Sequence, residues 1–268
     1  MEVSPVGIIR ARIDNAFTRS CWVALYVASF VISNLACALQ YNMMFLVFKS
    51  LFVPAVSLLA FLIWPRPLNK QYYLLQLAFL LAWVGDVFIG LAAYLPWLFI
   101  PGCYSFLFQH FVYIWMNGQS FSKPSSILHM PYWGLPHIAY VVLFSISYFA
   151  CISGTEQYEY MLYAFSLGTG FFTSFHRETL NRVKYWTVVM GFGFFVASDF
   201  LLSINRYLYK FSDAGGCSIL VTYYIAQTLI CLGVTPDYAE QKKAEEKHEH
   251  NASTDIEIKS SVNSEIRD

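Results

Sequence analysis

The sequence predicts an all-α fold: a polytopic integral membrane helical bundle of about eight transmembrane helices. Composition and patterning predict it. Of 268 residues, 57% are hydrophobic and only 13% charged, against about 25% charged in an ordinary soluble domain. The apolar residues also fall into blocks of the roughly 20 residues needed to cross a bilayer.

Three arginines, Arg10, Arg12 and Arg19, precede the first expected span, Cys21 to Leu39. No small-residue cleavage site follows a short apolar stretch, so this span is expected to be an uncleaved anchor behind a cytoplasmic segment, 1–20. The second, Met44 to Trp64, stops at Pro65 and Pro67, and Pro96 separates the third, Tyr72 to Ala93, from the fourth, Trp97 to Met116. The fifth is Trp133 to Ile152. The sixth, Tyr158 to Phe175, is the weakest, because Glu156 and Glu159 crowd its start; a seven-span arrangement is the alternative. Tyr185 to Ile204 forms the seventh, and Cys217 to Val234, after Gly215 and Gly216, the eighth. The bundle thus covers 21–234. From 235 to 268 the chain turns polar and poor in aromatics, which predicts a disordered cytoplasmic tail.

Basic residues remain in the cytoplasm during insertion. Fourteen of the seventeen lie on the N-terminal side of these spans, Arg206 and Lys210 lie on the other, and Lys49 falls inside the second. Both termini are therefore expected in the cytoplasm, and the Asn251-Ala252-Ser253 sequon is expected to be unused. Seventeen acidic residues balance the charge, so no basic surface points to nucleic acid. The six cysteines show no C-x-x-C spacing and read as apolar packers. Cys37, Cys151 and Cys217 lie near the non-cytoplasmic ends, which leaves one lumenal disulfide open. No G-x-G-x-x-G, Walker loop, G-x-S-x-G or H-E-x-x-H occurs, which takes support from nucleotide, serine-hydrolase and zincin chemistry. No cofactor and no metal are expected.

Three charged residues fall well inside spans: Lys49, Asp86 and Asp199. Each costs about 2.5 to 3.5 kcal/mol at a helix centre on insertion scales, so each is expected to face the bundle interior with a partner. At roughly 1.5 Å per residue all three lie about 8 to 10 Å below the non-cytoplasmic boundary, where they can form one cluster. Asp199, Ser203 and Arg206 share a helix face, and so do His110 and Tyr113. Tyr223, Tyr224 and Gln227 follow on the eighth span, and His110 and Gln227 are expected at the floor of a pocket. Pro54 withholds an amide beside Lys49, and Gly85, Gly191 and Gly193 permit close helix approach. The plainer readings are an ion cluster that fixes helix register and a hydrogen-bonded core histidine at 110. His129, His137, His176, His248 and His250 read as structural, loop or tail residues.

These segments resemble the YhhN-like family of multispanning membrane proteins, which includes the lysoplasmalogenases. The matching stretches are Lys49 to Pro54 (KSLFVP), Val84 to Leu91 (VGDVFIGL), Phe99 to Tyr113 (FIPGCYSFLFQHFVY), Gly193 to Tyr207 (GFFVASDFLLSINRY) and Thr222 to Gln227 (TYYIAQ). Two positions depart from the pattern: Cys103 stands where an aliphatic residue is expected, and Ser50 where proline is common.

The resemblance implies an ether hydrolase. It would cleave the vinyl-ether bond of 1-alkenyl lysophospholipids to a fatty aldehyde and glycerophosphocholine or glycerophosphoethanolamine. It also implies the endoplasmic reticulum in a eukaryote, or the inner membrane in a bacterium. Such a reaction needs an acid to protonate carbon, a base for water and a negative field beside the resulting cation. Two buried carboxyls in unlike surroundings can divide these tasks. Asp86 and Asp199 are the expected catalytic pair, their roles unassigned, with Lys49 biasing which is which. His110, Tyr113, Tyr223 and Gln227 would bond water or glycerol, and Arg206 the phosphate. The alternatives are a proton- or cation-coupled transporter using the same ionisable residues, and a non-catalytic lipid-binding protein.

Overall fold

A computed structural model describes residues 16–64, 68–119, 142, 156–177 and 181–236. Seven long helices make up these residues: α1 (Ala16–Ala38), α2 (Asn42–Ile63), α3 (Lys70–Leu91), α4 (Phe99–Gly118), α5 (Glu156–Ser174), α6 (Arg182–Ser203) and α7 (Asp213–Val234). A 3₁₀ turn, Pro96–Leu98, leads into α4, and a wider π-type turn, Ile204–Leu208, prolongs α6. The expected spans two to four and six to eight correspond to α2 through α7, and the first to α1. The fifth, Trp133 to Ile152, lies outside the described residues, as do the tail beyond residue 236 and the first 15 residues. Among the described residues, five segments are long and apolar enough to cross a membrane: 20–38, 42–63, 70–91, 182–208 and 215–234. The chain is an α-helical membrane protein.

The helix ends follow local chemistry. Asn69 accepts the Tyr72 amide at 3.0 Å and Asn181 the Val183 amide at 2.9 Å, each satisfying a donor that its helix leaves open. Between α1 and α2 the chain turns within three residues, with Gln40 at φ 61° and the Tyr41 amide bonded back to the Ala36 carbonyl at 2.9 Å. That is the left-handed helix cap glycine usually supplies. Pro54 stands inside α2, which continues to Ile63.

Neighbours in sequence are neighbours in space, and α7 closes the ring by packing on α1, α2 and α6. Two seams are unusually close. A Cβ on Gly191 would sit 2.9 Å from the Ile230 backbone nitrogen, and one on Gly233 would sit 2.8 Å from that of Val188, so α6 and α7 meet backbone to backbone. Gly102 does the same for α4 against α3: its Cβ would lie 3.2 Å from the Ile89 nitrogen and 3.3 Å from the Gly85 carbonyl. Gly85 and Gly191 thus serve the close approach expected of them. Gly193 does not, since a Cβ there would meet only the Phe171 ring at an ordinary 3.7 Å.

Polar bonds tie the seams where hydrocarbon offers no partner. Trp22 Nε1 donates to the Ala55 carbonyl at 2.7 Å, Ser105 Oγ to the Leu81 carbonyl at 2.7 Å and Ser198 Oγ to the Ile219 carbonyl at 2.9 Å. Ser57 donates to Gln76 between α2 and α3.

Cross-helix pairs fix direction. Tyr104 meets Glu159, His110 meets Ser166 and Asn117 meets Thr173, so α4 and α5 run parallel. Among the described residues, α4 therefore finishes at one end of the bundle and α5 begins at the other. Following the helices in turn, α1 begins and α7 finishes at the same end, the Asn117 end. Lys49, Asp86 and Asp199 all lie toward the opposite, Gln40 end.

Candidate functional site

Near the Gln40 end, α2, α3, α4, α5, α6 and α7 surround a cavity with about 720 Å³ of empty space, its open mouth included. Lys49, Asp86, Asp199, Ser203, Arg206 and Tyr223 line it. The three intramembrane charges, far apart in sequence, thus share one wall of space.

The two carboxylates are buried, Asp86 at 1% and Asp199 at 8% exposure, but they have different partners. Lys49 Nζ lies 3.2 Å from Asp86 Oδ1, while the Tyr223 hydroxyl donates to Asp86 Oδ2 at 2.7 Å. Asp86 is therefore held from both sides, by a cation and a phenol. Asp199 Oδ2 accepts from the Tyr163 hydroxyl at 2.8 Å, and no ion pair to it occurs among the described residues. Gly85 beside Asp86 admits the Phe106 ring, whose edge would otherwise meet a Cβ at 2.7 Å. Phe106 in turn packs edge-on against Tyr223, ring centres 6.0 Å apart, and so helps fix the phenol that meets Asp86.

α6 changes winding at the mouth. Ser203 Oγ donates to the Asp199 carbonyl at 2.7 Å, and beyond it the Tyr209 amide reaches the Ile204 carbonyl at 2.8 Å, a bond five residues long. Such wide turns recur at functional sites. This one carries Arg206, exposed, with its guanidinium 4.3 Å from the centre of the Phe99 ring. The arginine thus packs on an aromatic ring at the rim of the cavity.

The other expected residues sit behind this lining. His110 is buried, with Nδ1 3.3 Å from Ser166 Oγ and its ring 5.0 Å from that of Tyr163. It backs the tyrosine that bonds Asp199. The Tyr113 hydroxyl donates to Gln227 Oε1 at 2.8 Å and receives Gln109 Nε2 at 3.1 Å, a closed polar knot in the bundle interior. Tyr224 turns toward α1, where its hydroxyl bonds Ser33 Oγ at 3.0 Å and its ring stacks on Phe52 at 3.6 Å. His110, Tyr113, Tyr224 and Gln227 therefore support the walls and do not line the cavity.

Sequence reasoning missed Tyr163 and Tyr160, both in the lining, and Gln109 in the knot. Tyr160 and Tyr163 stand one turn apart on α5, a spacing that could have signalled a shared face. Among the described residues no three His, Cys, Asp or Glu side chains come together as a metal site.

The model of the YhhN family fits residues 44–234, from near the start of α2 to the end of α7. No curated protein and no solved structure matches the chain.

Proposed function

The chain belongs to the YhhN family, and from that premise we propose that it is a lysoplasmalogenase-like ether hydrolase. It would cleave the vinyl-ether bond of 1-alkenyl lysophospholipids to a fatty aldehyde and glycerophosphocholine or glycerophosphoethanolamine. One observation carries the reading: two buried carboxylates line one cavity with unlike partners, a lysine and a phenol for Asp86, a phenol for Asp199.

The partners suggest how the roles divide. Asp199 gives its proton to the β-carbon of the vinyl ether, and the α-carbon becomes an oxocarbenium ion. Asp86, ionised beside Lys49, stabilises that cation and takes a proton from the water that attacks it. The resulting hemiacetal then breaks at its bond to the glycerol oxygen. Asp86 returns its proton to that oxygen, the hemiacetal hydroxyl proton goes to Asp199, and both carboxyls are restored. Preorganised charge among buried groups acts more strongly than it would in bulk water. Arg206 at the rim would hold the phosphate. The same reading places the cavity mouth on the non-cytoplasmic face, in the endoplasmic reticulum for a eukaryotic chain.

The experiment is fatty-aldehyde release from 1-alkenyl lysophosphatidylcholine and lysophosphatidylethanolamine by the purified protein in detergent. Release by wild type, and loss of roughly 10²-fold or more in both Asp86→Asn and Asp199→Asn, is expected. Wild-type activity in both folded variants, or no release from either lipid, would overturn the reading. In the latter case, proton-coupled flux in vesicles would identify a transporter.

A further inference from the structure

Beside the charged cavity, α4 and α5 enclose a second, smaller groove of about 280 Å³, its open side included. It shares Cys103, Tyr160 and Tyr163 with the first cavity, so the two adjoin at those side chains. Its own walls are Ile100, Tyr104, Leu107 and Glu159, and the surface they present is mostly apolar. The Tyr104 hydroxyl donates to Glu159 at 3.1 Å and ties the two helices together at this groove.

The groove lies between two apolar outer faces. On α4, Tyr104, Phe108, Phe111 and Trp115 are 40 to 55% exposed and follow one helical stripe; on α5, Met161, Leu162 and Phe165 are 37 to 49% exposed. In a membrane protein such faces meet lipid chains. A mostly apolar groove that adjoins the charged cavity has the polarity sequence of a single-chain amphiphile.

We propose that the groove between α4 and α5 holds the hydrocarbon chain of the single-chain lipid whose polar part occupies the Asp86–Asp199 cavity. The inference rests on the functional reading for the identity of the polar part. Ile100 and Leu107 are the side chains that set how much chain the groove accepts, and Tyr160 and Tyr163 mark the point where chain gives way to headgroup.

The test uses 1-alkyl lysophosphatidylcholine, an ether with no vinyl group to cleave, carrying a photoreactive diazirine at the chain terminus. It is irradiated with the purified full-length protein and the adducts are mapped by peptide mass spectrometry. Saturable adducts confined to α4 and α5, around Ile100 and Leu107, are expected. Saturable adducts on other helices, or none at all, would overturn the proposal.

Catalysis supplies an independent readout. Ile100→Trp should lower the ratio of long-chain to short-chain kcat/KM for alkenyl lysolipids by roughly tenfold or more, because each methylene that loses its apolar contact weakens binding. An unchanged ratio would overturn the proposal. If the adducts fall on α4 and α5 but no aldehyde is ever released, the hydrolase reading fails and the chain site stands.

Discussion

Lys49 on α2 and Asp86 on α3 form a buried ion pair, 3.2 Å from Nζ to Oδ1, on the wall of the cavity that Asp199 also lines. Two charges in a low-dielectric interior are stable together and costly apart. Lys49→Met or Asp86→Asn alone should therefore destabilise the protein by about 3 to 5 kcal/mol. Lys49→Met combined with Asp86→Leu should regain most of that loss yet remain inactive. Thermal unfolding in detergent beside aldehyde release checks both halves. A double variant as unstable as either single one would contradict this account of the pair.

Tyr163 and Tyr223 each give one hydrogen bond to a cavity carboxylate, at 2.8 and 2.7 Å. A buried hydrogen bond contributes about 0.5 to 3 kcal/mol to stability, most where one partner is charged. Tyr163→Phe and Tyr223→Phe should each cut kcat by roughly tenfold or more and lower the unfolding temperature. Tyr224→Phe, one residue away but bonded to Ser33, should leave kcat within about twofold of wild type. Equal effects at 223 and 224 would show that the phenols act only through packing.

The charged half of this site was legible in the sequence because charges inside apolar spans are so few. Lys49, Asp86 and Asp199 stood out on cost alone, and their depths agreed. Depth along a helix does not give its rotation. Gln227 and His110 had depths suited to a pocket floor but face Tyr113 and Ser166, and Tyr224 is turned about 100° from Tyr223 by helix geometry. Tyr163 escaped notice for a different reason. One of 19 tyrosines, it sits on the least apolar span, and only tertiary packing brings it to Asp199. The fold class followed from apolar block length, whereas Gln40 in a left-handed turn carries no glycine to announce it.

The α6–α7 seam predicts a contrast between glycines. Gly233→Ala would press a methyl to 2.8 Å from the Val188 backbone nitrogen and should cost about 1 to 3 kcal/mol. Gly118→Ala meets nothing within 4 Å and should stabilise by about 0.5 to 1 kcal/mol. Unfolding midpoints of the two variants check this, and equal shifts would contradict it.

The parallel course of α4 and α5 brings the start of α1 and the finish of α7 to one end of the bundle. Epitope tags at the two termini should therefore become accessible together when one membrane face is opened, and the arginine count predicts the cytoplasmic face. Tags exposed on opposite faces would contradict the helix order.

In the proposed reaction Asp199 protonates a vinyl-ether carbon while Asp86 activates water. The most direct measurement is the mass spectrum of the fatty aldehyde released from 1-alkenyl lysophosphatidylcholine in D₂O, for wild type and Asp199→Asn. The account predicts a single deuterium at carbon 2 of the aldehyde from wild type and no such product from the variant. An aldehyde without that deuterium, or the labelled aldehyde from Asp199→Asn at the wild-type rate, would contradict it.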